Sequence, residues 1–96
     1  MKTIVMPTQT DEELVAMLRG VANPVRYRIL QILKERGECQ CGPLGAALPI
    51  AQSTLSQHLR VLREAGLIQG QVEGPSTCYC RDEARIAWLK RHLQDL

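Results

Sequence analysis

The sequence predicts a single, mostly α-helical domain that carries a β-hairpin close to its C-terminal end. Apolar residues recur at helical spacing in several stretches, and Pro, Asn and Gly residues mark the ends of these stretches. A Gly-Pro-Ser turn separates two short runs that are typical of strands. The length of 96 residues fits one domain, and 45% hydrophobic residues are ordinary for a globular chain. We therefore expect residues 1–96 to form one domain, with residues 1–10 as a flexible tail.

The first two helices are predicted from their start and stop signals. Thr10 and Glu13 match a capping box, and apolar residues follow at helical spacing. Asn23 and Pro24 place an N-cap before a proline at the first helical position. Gly37 is expected to end this second helix.

The rest of the chain is predicted to add a short strand, two helices, a hairpin and a last helix. Together with the first two helices this gives the order α-α-(short β)-α-α-β-β-α, which is the plan of a winged helix-turn-helix. The predicted elements are the extended segment Glu38–Cys41, the helices Pro43–Leu48 and about Gln52–Ala65, the strands Leu67–Glu73 and Thr77–Arg81, and the helix Glu83–Gln94.

The predicted helix over residues 52–65 has two unlike faces. Leu55, Leu59 and Leu62 share one face, and the other carries short or forked polar groups. Gln pairs with adenine, Ser and Thr contact several base edges, and Arg suits guanine or phosphate. We predict that this face reads DNA in the major groove, with an ordinary solvated polar face as the alternative. The predicted DNA-binding residues are Gln52, Ser53, Thr54, Ser56, Gln57, His58 and Arg60.

The net charge and the hydropathy of the sequence bear on whether its partner is a nucleic acid or a membrane. The formal net charge of +2 is compatible with nucleic acid but is weak evidence for it. We expect Arg60, Arg63 and Arg81 to contact phosphates. No apolar run approaches the roughly 20 residues of a membrane span, and the N-terminal residues lack the features of a signal peptide. A cytoplasmic protein without a membrane partner is expected.

Two segments carry a likeness to a known family. Residues 21–30 read VANPVRYRIL, and residues 52–68 read QSTLSQHLRVLREAGLI. They resemble the opening motif LADPTRLRIL and the recognition helix of the ArsR/SmtB family of bacterial metal-responsive repressors, and the likeness covers about residues 12–95. The family often has serine as the N-cap of that helix, where this chain has Ala51.

The resemblance implies a homodimer that binds double-stranded operator DNA and represses transcription until an effector releases it. We expect DNA binding to require no cofactor. An enzyme with a Cys/His nucleophile pair is the alternative, but nothing in the sequence places His58 or His92 beside a cysteine. The implied dimer interface lies on the first and last helices and comprises Leu14, Met17, Leu18, Ile86, Leu89 and Leu93.

The four cysteines form two Cys-x-Cys pairs, Cys39/Cys41 and Cys78/Cys80. The first pair falls where arsenic- and cadmium-sensing family members carry ELCVCDLC, but Leu44 replaces the third cysteine of that motif. If the short strand pairs with the last strand of the hairpin, all four thiols converge, because residues i and i+2 of a strand share a face.

Three interpretations of these thiols remain open. Thiolates select soft ions, so we expect As(III) or Sb(III) bound by three thiolates, with Zn or Cd bound by four as an alternative. A redox or persulfide switch is the second interpretation, and plain buried cysteines are the third. In the family that this chain resembles, the other common metal site needs Asp and His pairs on the last helix. The last helix here offers His92 and Asp95 without the matching Asp and His partners, so the resemblance implies no zinc site there.

Overall fold

The computed structural model describes residues 5–37, 39–41, 48–73 and 76–96. Within these residues, four helices surround a core that is closed on one side by a three-stranded antiparallel sheet of order β1-β3-β2. This is the predicted winged helix-turn-helix. The predicted helix Pro43–Leu48 and the hairpin tip lie largely outside the described residues. The elements are α1 (Gln9–Val21), α2 (Pro24–Arg36), β1 (Gln40–Cys41), α3 (Gln52–Glu64), β2 (Ile68–Glu73), β3 (Ser76–Arg81) and α4 (Glu83–Gln94).

Helix α1 begins earlier than the sequence predicts. Thr8 is its N-cap: the Thr8 hydroxyl accepts from the Asp11 N–H at 3.2 Å, and the Asp11 carboxylate accepts from the Thr8 N–H at 2.9 Å. The predicted capping box of Thr10 and Glu13 is therefore wrong, and residues 9 and 10 belong to the helix rather than to the tail. Two boxes overlap in this stretch, and the earlier one adds two residues to the helix.

Helix α2 is bounded by the predicted signals. The Asn23 side chain accepts from the backbone N–H groups of Val25 and Arg26 at 2.9 and 3.2 Å, and Pro24 holds the first helical position. Gly37 closes the helix with a φ of 69°, a left-handed conformation that favours glycine. These local signals explain why both ends of α2 could be predicted.

Helices α3 and α4 begin differently. Ala51, the N-cap of α3, makes no side-chain hydrogen bond, whereas the Asp82 carboxylate caps α4 by accepting from the Arg85 N–H at 3.1 Å. The Gln69 amide also donates to Asp82 at 2.9 Å, which ties β2 to the start of α4. This side-chain hydrogen bond, followed by the backbone bond from Arg85, lowers the pKa of Asp82 below its ordinary value.

The core is built mainly from leucine and isoleucine side chains of all four helices and the sheet. Met17, Ile29, Leu55, Leu62 and Leu67 are its most deeply buried large side chains. Within the described residues, no helix is long and apolar enough to cross a membrane.

The residues predicted for a dimer interface fall into two groups. Met17, Ile86 and Leu89 are buried inside the single chain, where they belong to the core. Leu14 and Leu18 are half-buried, and Leu93 is exposed. The homodimer itself stays a prediction.

The sheet places the two Cys-x-Cys pairs side by side. In the β1–β3 ladder Cys41 stands opposite Cys78, and Gln40 stands opposite Tyr79. In the β2–β3 ladder Gly70 stands opposite Tyr79. A Cβ on Gly70 would lie 2.5 Å from the Cys78 carbonyl oxygen, so the close approach of β2 to β3 requires glycine there.

Candidate functional site

The predicted DNA-reading surface is an exposed face of α3. Leu55, Leu59 and Leu62 are 1%, 5% and 0% exposed, and they anchor the opposite face of the helix in the core. The division into a packed and a polar face is therefore confirmed, while DNA contact by the polar face stays a prediction. Of the predicted residues His58 is half-buried, and the exposed ones are Gln52, Ser53, Thr54, Ser56, Gln57 and Arg60.

A contact that the sequence does not reveal joins this helix to the end of α1. The Arg26 guanidinium donates from Nε to the Gly20 carbonyl at 2.7 Å and from Nη2 to the Arg19 carbonyl at 3.0 Å. Its Nη1 lies 3.4 Å from Nδ1 of His58. Arg26 belongs to the segment that resembles the family motif, but no local pattern indicates that it reaches α3.

One of the three arginines predicted to contact phosphate does not face solvent. The Arg81 side chain is 8% exposed; its Nε pairs with the Glu83 carboxylate at 2.7 Å, and its Nη1 donates to the Leu30 carbonyl at 3.0 Å. The expectation of a phosphate contact is wrong for Arg81, because its charge is committed to joining the end of β3 to α2 and α4. Arg60 is exposed and Arg63 is half-buried.

The four cysteines lie along the β1–β3 ladder, and we call them the cysteine ladder (Cys39, Cys41, Cys78 and Cys80). Cys39 and Cys80 are joined by a disulfide with 4.3 Å between their Cα atoms, and Cys78 is also disulfide-bonded. The predicted pairing of the short strand with the last strand of the hairpin is confirmed, and it brings the Cys39 and Cys80 sulfurs together. The Cys41 side chain lies outside the described part of the chain.

The cysteine ladder is accessible from one side. Tyr79 is 7% exposed and points into the core, so its neighbours Cys78 and Cys80 lie on the opposite face of β3. Cys39 is exposed, and Cys78 and Cys80 are half-buried. A shallow pocket of about 200 Å³ adjoins the disulfide; its lining residues are Leu33, Lys34, Gly37, Cys39, Cys80, Arg81 and Glu83.

The fit of the ladder to a metal ion depends on its redox state. Disulfide sulfurs have no negative charge to give to a soft cation, and among the described residues no group of three or more His, Cys, Asp or Glu side chains is arranged to hold one. After reduction, the same convergence supplies thiols of the type that soft ions select. Metal binding by the four cysteines stays a prediction.

Neither histidine forms a nucleophile pair with a cysteine in the part of the chain that the structure describes. His58 meets Arg26, and Nδ1 of His92 lies 2.9 Å from the Trp88 carbonyl oxygen. The His92 ring also stacks on Trp88 with 4.0 Å between centroids. The His58 imidazole therefore contacts a neighbouring helix, and the His92 imidazole contacts its own helix.

Comparison of this chain with known proteins places it in one family of DNA-binding regulators. A helix-turn-helix domain family matches residues 21–71. The biofilm growth-associated repressor of Xylella fastidiosa (strain Temecula1) is 36% identical over 81 residues, which are 84% of this chain and 70% of that protein. The chain belongs to the ArsR/SmtB family of winged helix-turn-helix regulators.

Two further comparisons add detail. The biofilm growth-associated repressor of Agrobacterium fabrum (strain C58) is 39% identical over 77 residues, which are 80% of this chain but 65% of that protein. The chain thus spans a little under two thirds of the length of such curated relatives. The NMR structure of the cadmium metal-sensor CMTR from Mycobacterium tuberculosis is 36% identical with a TM-score of 0.59, and the match covers 86% of this chain and 81% of that one.

Proposed function

We propose that this protein is a DNA-binding transcriptional repressor that reads its operator with the polar face of α3. The exposure of six polar side chains above a fully packed leucine stripe is the observation that carries this proposal. The side chains are short amides, hydroxyls and one guanidinium, which are the groups that recognise base edges and phosphates. Relatives named as repressors favour DNA binding over catalysis.

We propose that the repressor acts as a homodimer through α1 and α4. These helices expose Val15 (43%) and Leu93 (37%), next to the half-buried Leu14, Leu18 and Trp88. Burying these apolar groups against a second copy is favourable. A two-fold dimer brings two copies of α3 to two half-sites about one DNA turn apart, as helix-turn-helix proteins require.

The DNA-binding proposal is tested with a duplex selected from a random double-stranded library by the reduced protein. Fluorescence anisotropy compares the selected duplex with a scrambled one. We expect Gln57→Ala to lose about 1–3 kcal/mol of binding free energy on the selected duplex only. Gln94→Ala is the matched control, since Gln94 is an exposed glutamine at the end of α4. Equal affinity of the wild type for both duplexes would contradict sequence-specific binding.

We further propose that the reduced cysteine ladder binds a soft metal or metalloid ion as the effector. As(III) or Sb(III) would take three thiolates, and Cd(II) or Zn(II) would take four. The convergence of the Cys-x-Cys pairs on one ladder supports this proposal. A dithiol reductant supplies the two electrons and two protons that open each disulfide and is itself oxidised to a disulfide. Cd(II) or Zn(II) then displaces one proton from each thiol that it binds, whereas arsenite, As(OH)₃, exchanges its three hydroxyls for three thiolates and the thiol protons leave in three water molecules.

The position of the ladder suggests how an effector would reach the DNA. Cys39 follows the end of α2, and β1 precedes the segment that leads to α3. On the other side, Cys80 is next to Arg81, which binds the Leu30 carbonyl of α2 and Glu83 of α4. An ion that holds β1 against β3 would therefore change the placement of α3 relative to the β2–β3 hairpin and weaken operator binding.

Native mass spectrometry of the reduced protein with arsenite, cadmium or zinc tests effector binding. We expect one ion per protomer, carried by a dimer, and loss of the ion in the Cys39→Ser and Cys78→Ser variants. Operator release is then followed by anisotropy on the selected duplex. Full release of both variants by arsenite would contradict the proposed site.

A thiol redox switch is the second candidate, and the disulfide between Cys39 and Cys80 is the observation that favours it. Here two thiols give up two electrons and two protons to a peroxide or a disulfide oxidant, and one S–S bond forms. A persulfide effector would act on the same cysteines. Measuring the operator affinity of metal-free protein distinguishes the two candidates. A redox switch requires the oxidised and reduced forms to differ in operator affinity when no ion is present.

A further inference from the structure

We infer that Arg26 is a positioning residue that fixes the His58 imidazole on α3 with its Nε2–H free to donate to DNA. The inference rests on the proposed function of α3 as the DNA-reading helix. Arg26 lies on α2, and its guanidinium bridges the C-terminal end of α1 and the middle of α3.

Helix α1 holds the Arg26 guanidinium in place. Its Nε and Nη2 donate to the Gly20 and Arg19 carbonyls, at 2.7 and 3.0 Å. Both carbonyls belong to the last turn of α1, where backbone acceptors lack helical partners and where the helix dipole favours a cation. These two hydrogen bonds to the end of α1 restrict the rotation of the planar guanidinium. The direction in which Nη1 points is therefore set by α1.

The chemistry of the third contact selects one form of His58. Arginine only donates hydrogen bonds, so Nδ1 of His58, 3.4 Å from Nη1, has to be the acceptor. An imidazole that accepts at Nδ1 carries its proton on Nε2. Within the described part of the chain Nε2 has no hydrogen-bond partner, and His58 is half-buried rather than enclosed.

The position of His58 on α3 indicates what its Nε2–H would bind. Thr54 lies one helical turn before it on the same side of α3, and Gln57 directly precedes it; both side chains are exposed. A donor among these groups suits a phosphate oxygen or a base acceptor in the groove. Through Arg26 the end of α1 thus determines how one DNA-facing group of α3 is presented.

Two substitutions of His58 distinguish the role of its Nε2 from that of its Nδ1. The Gln amide places an N–H₂ donor near the position of Nε2, whereas the Asn amide places its oxygen near that of Nδ1 and has no group at Nε2. We expect His58→Gln to bind the selected duplex nearly as well as the wild type. Losing a hydrogen bond to a charged phosphate predicts about tenfold weaker binding for His58→Asn.

Substitution of Arg26 tests whether it acts through His58. We expect Arg26→Gln to weaken binding about tenfold in the wild-type background and to have no further effect in the His58→Gln background, because an amide has no tautomer to be selected. Arg28→Gln is the matched control: it removes the same charge from an exposed position of α2. Additive effects of Arg26→Gln and His58→Gln, or an equal loss in Arg28→Gln, would overturn the inference.

A second readout does not depend on DNA. Nitrogen-15 NMR of the neutral His58 ring reports which nitrogen carries the proton. We expect the Nε2–H tautomer in the wild type and in Arg28→Gln, and a mixture of tautomers in Arg26→Gln. A predominant Nδ1–H tautomer in the wild type would overturn the role of Arg26. Failure of the wild type to prefer any duplex, with the expected tautomers present, would instead contradict the proposed function alone.

Discussion

Helix α3 and the cysteine ladder differ in whether their functional side chains are free or bonded to another part of the chain. On α3, Gln52, Gln57 and Arg60 are exposed, and the polar face is left open to solvent. On the ladder, Cys39 and Cys80 bond to each other, and Cys78 is also in a disulfide. The first arrangement suits recognition of an external macromolecule. The second suits a switch, because making or breaking its bonds acts on the chain itself.

The two regions also differ in how they are stabilised. The polar face of α3 is backed by buried leucines such as Leu62, and Ala51 at its N-terminus makes no side-chain capping hydrogen bond. The ladder is held by strand pairing and by a covalent bond between residues 41 positions apart. Substitutions in the two regions should therefore change stability by different routes.

The largest effect is expected from Leu62→Ala on the packed side of α3. Leu62 is 0% exposed, so its truncation should lower the free energy of unfolding by about 2–5 kcal/mol. Gln57→Ala on the exposed side should stay within about 0.5 kcal/mol. Urea denaturation of the reduced proteins measures both. Similar losses in the two variants would show that the faces of α3 are not divided as described.

A smaller and conditional effect is expected from Cys39→Ser on the ladder. In oxidised protein the loss of a loop-closing bond should cost about 2–4 kcal/mol of stability. In protein kept reduced with a phosphine, wild type and variant should unfold at nearly the same urea concentration. Equal stability under oxidising conditions would show that the Cys39–Cys80 bond does not form in solution.

Adding the missing cap should strengthen the weak end of α3. Ala51 has the extended backbone of an N-cap, with φ −63° and ψ 145°. Ala51→Ser should therefore raise the free energy of unfolding by about 1 kcal/mol. Ala87→Ser, at an exposed interior position of α4, is the control and should be neutral or slightly destabilising. No gain from Ala51→Ser would mean that the first turn of α3 is already satisfied.

The smallest effect is expected from Asp82, which lies between β3 and α4. Its folded-state pKa is lowered by the Gln69 and Arg85 hydrogen bonds, so the folded state binds fewer protons than the unfolded state. This contribution is present above the ordinary aspartate pKa and is lost as pH falls through the folded pKa. Asp82→Asn should cost less than about 1 kcal/mol at neutral pH, and the difference should vanish in acid. A difference that persists in acid would contradict this account.

Local signals predict most of the fold. Asn23, Pro24 and Gly37 bound α2 because each satisfies backbone groups of its own helix end. The start of α1 is misplaced by the sequence pattern because two capping boxes overlap, and a local pattern does not rank them. The predicted bounds of α4 are those observed: Asp82 caps its start, and Ile86, Leu89 and Leu93 recur at helical spacing along it.

The candidate site is predicted less completely. The exposed face of α3 and the convergence of the cysteines follow from helix and strand periodicity. The contact of Arg26 with His58 spans 32 residues and has no periodic signature, and the burial of Arg81 depends on the Leu30 carbonyl and Glu83. Long-range polar contacts of this kind are set by tertiary packing, so sequence patterns do not reveal them.

The most direct test of the account is the operator affinity of one protein sample in three states. Anisotropy on the selected duplex is measured for reduced metal-free protein, for reduced protein with arsenite, and for oxidised protein. Allosteric coupling typically changes affinity by about 5–150-fold, and we expect arsenite to weaken binding within that range. Equal affinity in all three states would contradict the claim that the cysteine ladder controls the DNA-reading helix.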